Sequence, residues 1–152
     1  RVAAVETRDG PLDVAVQGMS VVVRLEDELD VPRGEMLVAP DDQPVCARTL
    51  TATVCWMSER PAEQGARLGV KHTTRWSRAI LDGIDSRLDV DTLEQVPATR
   101  LELNDIATVR LRLASPLVVD PYDVNRVTGA FVLTDEATND TVAAGMVVSA
   151  EA

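Results

Sequence analysis

Short runs rich in valine and threonine, separated by turn-forming residues, recur about every ten residues and constrain the fold of this chain most. Branching at Cβ restricts the rotamers of these residues in a helix and favours extended strands. In the last quarter, residues 129–134 and 141–148 are two such runs, and they flank a polar segment that ends in Asn139-Asp140. This arrangement is typical of a β-hairpin. The spacing as a whole predicts an all-β fold, either a barrel or a sandwich.

The remaining strand candidates are residues 2–7, 14–16, 19–25, 36–39, 47–57, 67–71, 78–85, 99–103, 106–113 and 118–119. Residues 75–88 are ambiguous because their apolar positions also fit one stripe of a helix. Gly83 and the neighbouring threonines weaken a helix, so we expect a strand there.

Alternation along the candidate strand at residues 47–57 would place Leu50 and Trp56 on one face and Ala47 on the other. The two cysteines, Cys46 and Cys55, are separated by an odd number of residues, so a shared strand would point them to opposite faces. A disulfide between them is then implausible, and no further metal ligands accompany them. We interpret both as core or half-buried residues.

The charge balance limits the classes of partner. The chain has 152 residues, with 25 acidic against 15 basic side chains and a formal net charge of −10. Nucleic acid is not expected as a major partner, because neutralising phosphates requires a basic surface. No signal peptide and no apolar run of about 20 residues is visible, so we expect no membrane association and a cytoplasmic location.

Acidic pairs occur at Asp41-Asp42, at Asp89 and Asp91, and at Asp135-Glu136. None has the glycine and ligand spacing of a calcium loop, so solvated turns are expected at all three. A boundary is expected at residues 39–44, where two prolines and two aspartates interrupt strand pairing.

Several segments resemble one family, and they occur in that family's order. They are LEDELDVPRGE (residues 25–35), VCWMSE (54–59), KHTTR (71–75), DVDTLE (89–94), LNDI (103–106), NRVTGAF (125–131) and TNDTVAAGM (138–146). Together they resemble the large, GTP-binding subunit of bacterial sulfate adenylyltransferase, a member of the elongation factor Tu-type GTPase superfamily.

The resemblance implies a domain organisation. Residues 1–40 correspond to the C-terminal part of a second-domain-like β-barrel, residues 41–45 to a linker, and residues 46–150 to a complete third-domain antiparallel β-barrel. The resemblance therefore implies an incomplete first barrel, whose open strand edges before Val38 need covering by other chain or by a partner.

The resemblance also implies a function. The family couples GTP hydrolysis to the formation of adenosine 5′-phosphosulfate from ATP and sulfate, on a separate small subunit. GTP and Mg²⁺ would bind a nucleotide-binding domain that precedes this segment. The loop that cradles phosphates reads Gly-x-x-x-x-Gly-Lys-Ser/Thr, whereas the only lysine, Lys71, lies between Val70 and His72. We therefore expect no catalytic, cofactor-binding or metal-binding residue in this segment and no activity from it alone.

The expected partners are the sulfate adenylyltransferase small subunit and the nucleotide-binding domain of the same protein. Some members of the family also carry a fused adenylylsulfate kinase domain. The candidate interaction residues are Lys71, His72, Arg75, Trp76, Asn125 and Arg126. The first four gather the only histidine, the only lysine and a tryptophan in an acidic chain.

Each candidate also has a simpler interpretation. The segment from Lys71 to Trp76 could be a strand corner with solvated cations and a tryptophan in the core. Asn125 and Arg126 could shape a turn, with Arg126 paired to Asp120 or Asp123.

Two other functions remain as alternatives. A translation-factor-type barrel that binds aminoacyl-tRNA predicts a basic face, which the net charge opposes. A free-standing protein-interaction module predicts a complete fold from the first residue.

Overall fold

The structure is a computed structural model that describes residues 1–152. It consists of strands, turns and loops, in two compact units, Arg1–Pro32 and Arg33–Ala152. No helix of the length and hydropathy needed to cross a membrane is present.

The first unit is an antiparallel sheet in the order β2-β1-β3. Its strands are β1 (Val2–Thr7), β2 (Gly10–Leu12) and β3 (Val22–Leu25). The two outer strands each keep a free edge within this sheet, and the unit supplies no residue to the buried hydrophobic core.

The second unit is built on a closed antiparallel barrel. Its strands are β4 (Val45–Trp56), β5 (Ala62–Glu63), β6 (Arg67–His72), β7 (Arg75–Leu88), β8 (Gln95–Val96), β9 (Arg100–Leu101), β10 (Ile106–Val119), β11 (Ala130–Asp135) and β12 (Thr141–Glu151). Six of them follow one another in the order β10-β4-β12-β11-β6-β7, and pairing between β10 and β7 closes the ring. Closure removes the free edges of these six strands.

The barrel interior is filled by branched side chains that alternate with outward residues along each strand. Leu50, Val54, Leu111, Leu133 and Val147 are almost completely buried there. The all-β fold and the barrel predicted from the sequence are confirmed, and residues 75–88 form a strand as expected.

Two predicted strands are absent. Residues 14–16 lie in no strand, because a turn at Gly18 (φ +89°) bends the chain and the Met19 N–H bonds back to the Val16 carbonyl. Residues 36–39 are also irregular. They follow Gly34, whose φ of +97° interrupts an extended conformation.

The predicted face of Ala47 is wrong. Ala47 is buried, as are Leu50 and Trp56, so the alternation along β4 changes phase between Ala47 and Leu50. The change coincides with a register shift between β4 and β10. Arg112 of β10 pairs with Thr49, but the next pair along the two strands is Leu117 with Ala47.

The phase change also turns Cys46 to the outer face of β4. Cys55 is half-buried, as predicted, whereas Cys46 is exposed, so the prediction is wrong for Cys46. Both are free thiols.

Candidate functional site

The turn between β6 and β7 brings Lys71 and Trp76 together on the barrel surface. The two residues are paired across the strands, and Lys71 Nζ lies 5.7 Å from the centroid of the indole ring. Trp76 is 54% exposed, so the simpler interpretation of a tryptophan in the core is wrong for this residue. The contact is a cation–π interaction, worth about 0.5–1 kcal/mol at an exposed position.

His72 and Arg75 contact residues within the same unit. His72 is 1% exposed, and its Nε2 lies 2.7 Å from the Thr128 carbonyl oxygen. Because a carbonyl can only accept, Nε2 carries the hydrogen and ties β6 to the loop before β11. Arg75 donates to Glu35 across 3.2 Å, and its aliphatic part packs against Gly34.

The loop at residues 120–129 holds the other two candidates. Asn125 accepts a hydrogen bond from the Val127 N–H through its side chain and another from the Gly129 N–H through its carbonyl. Asn125 is therefore a turn-forming residue. Arg126 lies 6.0 Å from the centroid of the Tyr122 ring. The expected ion pair of Arg126 with a neighbouring aspartate is not formed.

A surface groove of about 600 Å³ runs over β12 and its neighbours. We term it the β12 groove. It is lined by Thr53, Val54, Cys55, Lys71, Thr73, Ile106, Tyr122, Ala130, Phe131, Val132, Ala144, Gly145 and Met146. The groove is concave because small outward residues, Ala130 and Ala144, lie beside the larger Tyr122 and Met146.

The polar part of this groove is positively charged. Lys71 lies in its lining, and Arg126, which is outside the lining, lies 6.0 Å from the ring centroid of the lining residue Tyr122. No carboxylate lies within ion-pairing distance of either cation. Arg75, Arg87 and Arg110 each have an acidic partner, whereas Arg8, Arg33, Arg48, Arg60 and Arg67 have none. The groove therefore combines apolar surface with one cation in its lining, Lys71, on a chain of net charge −10.

Hydrogen bonds to β12 and β6 hold the loop at residues 120–129, which contributes Tyr122 to the groove. The Tyr122 N–H donates to the Val147 carbonyl across 2.9 Å, which fixes Tyr122 against β12. The hydrogen bond between His72 and Thr128 joins the same loop to β6. The two candidate segments predicted from the sequence are thus brought to one region of the barrel.

The acidic turns have structural roles. Hydrogen bonds from the Thr92 and Asp91 N–H groups lower the pKa of Asp89. The Thr138 and Ala137 N–H groups lower the pKa of Asp135 in the same way. No group of three histidine, cysteine or acidic side chains is placed to hold a metal ion.

The residues of the groove floor were not predicted from the sequence. Cys55, Ala144 and Met146 are outward positions on two adjacent strands. Ala144 and Met146 occupy successive outward positions of β12, and apolar residues at both positions are the sequence signal that could have located the groove.

Comparison with known proteins agrees with this fold. Residues 49–148 match the family model described as GTP-eEF1A C-terminal domain-like. Two solved structures of Sup35 also resemble the chain, one complexed with GDP and one with GMPPNP. Each covers 99% of the chain, with TM-scores of 0.83 and 0.84 at 20% and 19% identity. The chain covers 38% and 37% of those structures, and at this identity the likeness concerns the fold alone.

Curated relatives are more similar in sequence. Sulfate adenylyltransferase subunit 1 of Tolumonas auensis is 43% identical over 99% of the chain, and that of Bacteroides fragilis is 43% identical over 97%. The bifunctional enzyme CysN/CysC of Mycobacterium tuberculosis is 45% identical over 97%. The chain spans about a third of the length of the subunit 1 relatives and about a quarter of the bifunctional one.

The family model and these relatives cover the same barrel that the structure describes. The chain therefore belongs to the GTP-eEF1A C-terminal domain-like family, and it is similar to a part of sulfate adenylyltransferase subunit 1.

Proposed function

We propose that this chain is the non-catalytic barrel portion of the GTP-binding subunit of sulfate adenylyltransferase. That subunit would couple GTP hydrolysis to the formation of adenosine 5′-phosphosulfate from ATP and sulfate. The observation that carries this proposal is the 43% identity, over 99% of the chain, to subunit 1 of that enzyme.

In this proposal GTP and Mg²⁺ bind a nucleotide-binding domain outside this chain. The chain's only lysine is engaged with Trp76 rather than placed in a phosphate-cradling loop. A closed barrel is suited to a mechanical role, because it can move as one body when the γ-phosphate orders or releases neighbouring segments. Residues 1–40 would be the second-domain remnant, residues 41–45 the linker and residues 46–150 the third barrel.

The proposed partners are the small subunit, which would carry the adenylyl transfer site, and the subunit's own nucleotide-binding domain. A fused adenylylsulfate kinase domain is a further candidate. The reaction uses cytosolic nucleotides, so we place it in the cytoplasm. Binding of aminoacyl-tRNA by a barrel of net charge −10 is disfavoured.

The test is a titration of the small subunit with this chain and, separately, with the full-length large subunit. Excess tRNA is added as a competitor. We expect micromolar or tighter binding that tRNA does not compete away. If the full-length large subunit also fails to bind the small subunit, the assignment to this enzyme is wrong.

A further inference from the structure

We propose that the outer face of β6, β7 and β10 carries a binding site for a small tetrahedral oxyanion, sulfate or phosphate. Arg67, Arg78 and Arg112 would hold the anion, and we term these three residues the arginine cluster. The inference is independent of the proposed function, because it rests only on the geometry and charge of the barrel surface.

Strand pairing places the three arginines next to one another. Ile80 of β7 pairs with Arg67 of β6 on one side and with Arg112 of β10 on the other. Arg78 lies two residues before Ile80, and therefore on the same outward face of β7. Side chains at directly opposite positions have Cβ atoms about 4.5–5.5 Å apart, so the three guanidinium groups can reach the space above Ile80. The arginine cluster lines one cavity of about 260 Å³ there.

The lining of this cavity has an excess of positive charge. The arginine cluster contributes three cations and Glu136 one carboxylate. Glu136 Oε1 lies 3.6 Å from Arg78 Nε, and Asp82, outside the lining, lies 3.5 Å from Arg112 through Oδ1 and an Nη atom. Arg67 has no acidic partner. An anion that enters the cavity therefore meets a net positive charge.

The two ion pairs leave N–H donors free for a ligand. A charge-assisted hydrogen bond is about 2.7–2.9 Å long, and both contacts exceed that length. Arg110, by comparison, donates to Asp85 across 3.0 Å. A guanidinium group also has more N–H donors than one carboxylate contact can use. Because β7 is paired on both sides, the backbone that carries the cluster is positioned before an anion arrives, which limits the entropy lost on binding.

The other arginines without an acidic partner are not arranged in this way. Those that lie outside the strands, where no pairing aligns them with further arginines, are Arg8, Arg33, Arg60 and Arg126. Arg48 donates to the Ala114 carbonyl across 3.3 Å, and Ala114 lines the same cavity as the arginine cluster. Arg48 therefore adds to the positive charge near this cavity.

The guanidinium geometry selects a tetrahedral anion. Each guanidinium is a planar fork that can donate two parallel hydrogen bonds to an oxyanion. A carboxylate has both oxygens in one plane, whereas sulfate and phosphate direct their oxygens tetrahedrally and can accept from several forks at once. The cavity is smaller than the about 300–1,000 Å³ of sites for drug-sized ligands, so it fits the anion itself rather than a whole nucleotide.

Arginine footprinting tests the site in the full-length protein. Phenylglyoxal modifies accessible arginines, and mass spectrometry of peptides gives the modification rate at each position. At constant ionic strength, replacing sodium chloride by sodium sulfate or sodium phosphate should slow the modification of all three arginines of the cluster. Arg60, which is exposed and has no acidic partner, should react at an unchanged rate and serves as the internal control.

Three substitutions test the assignment through the sulfate concentration that half-protects Arg67. Arg112→Gln removes one fork and should raise that concentration about 5-fold to 10-fold. Glu136→Gln removes a carboxylate that repels the anion and should lower it about 2-fold to 5-fold. Arg60→Gln is the matched control and should change it less than about 2-fold.

The outcomes decide between a built site and general charge screening. Slowing of Arg60 to the same extent as the arginine cluster would overturn the inference, and so would no slowing at all. Acetate that protects as well as sulfate would show that the cluster does not select a tetrahedral anion, which also overturns it. Half-protection unchanged by both Arg112→Gln and Glu136→Gln would do the same. If the site is present, the lower half-protecting concentration identifies whether sulfate or phosphate is preferred.

Discussion

Gly145 is a position in β12 where an added methyl group has no room. The residue pairs with Phe131 on one side and Val54 on the other, and a Cβ built on it would lie 2.3 Å from Phe131 Cζ. Carbon atoms in contact normally lie about 3.5–4 Å apart. The ring of Phe131, which is buried in the core, therefore packs directly on the Gly145 backbone.

The cost of Gly145→Ala follows from two opposing effects. Alanine is favoured over glycine in a strand interior by about 0.5–1 kcal/mol, because glycine loses more backbone entropy on folding. Overpacking a well-filled core costs about 1–3 kcal/mol. The difference predicts that Gly145→Ala lowers the free energy of unfolding by about 0–2.5 kcal/mol, or about 1.3 kcal/mol at the midpoints of the two ranges.

Equilibrium unfolding in urea measures this change, with the fluorescence of the buried Trp56 as the signal. A double-mutant cycle with Phe131→Leu locates the cause. In the Phe131→Leu background the cost of Gly145→Ala should fall below about 0.5 kcal/mol, since the clashing ring is gone. A stabilising effect of Gly145→Ala alone, or strict additivity of the two changes, would refute the argument.

Three further predictions concern the barrel. His72→Phe should lower the free energy of unfolding by about 1–3 kcal/mol in urea titrations, because it leaves the Thr128 carbonyl without its donor; an unchanged midpoint would show that this hydrogen bond is dispensable. In the same titrations, Leu111→Ala should lower the free energy of unfolding by about 2–5 kcal/mol, and Leu103→Ala by less than about 1 kcal/mol, because only Leu111 is buried. Equal decreases for the two variants would contradict the assigned core. The contribution of Asp135 to stability should be complete above its ordinary pKa of 3.8 and should be lost as the pH falls through its lowered folded pKa. Urea midpoints at pH 6 and pH 3 should therefore differ less in Asp135→Asn than in the wild type, and equal differences would contradict this.

The strands with clear apolar alternation, or with valine-rich runs around a polar turn, were predictable from the sequence. The run that contains Leu50, Val54 and Trp56 alternates as a half-buried strand should, and the structure buries those residues. The closing hairpin of β11 and β12 was marked by valine-rich runs around a polar turn. In both cases the local pattern and the tertiary packing favour the same conformation.

The errors have specific physical causes. Alternation was extended through Ala47, but the register shift in the neighbouring β10 changes the phase, and that shift depends on a strand distant in sequence. The valines at residues 14–16 favoured a strand, but the turn at Gly18 uses backbone groups that pairing would need.

The candidate site was predicted in part. The segment from Lys71 to Trp76 was visible in the sequence because it contains the only lysine and the only histidine, and Asn125 and Arg126 were visible as part of a turn. The contact of Arg126 with Tyr122 was not predicted, because Asp120 and Asp123 were equally plausible partners for Arg126. The groove itself depends on which outward residues become neighbours when the barrel closes, and no local pattern contains that information.

We propose that this barrel belongs to the subunit that couples GTP hydrolysis to sulfate activation. The most direct test measures the rate of adenosine 5′-phosphosulfate formation by the small subunit together with the full-length large subunit, with and without GTP. A large subunit that lacks the region corresponding to residues 1–152 is assayed in parallel. The account predicts that GTP stimulates the reaction with the intact subunit and that deletion abolishes the stimulation while GTP binding persists. Full stimulation by the deleted subunit would contradict it.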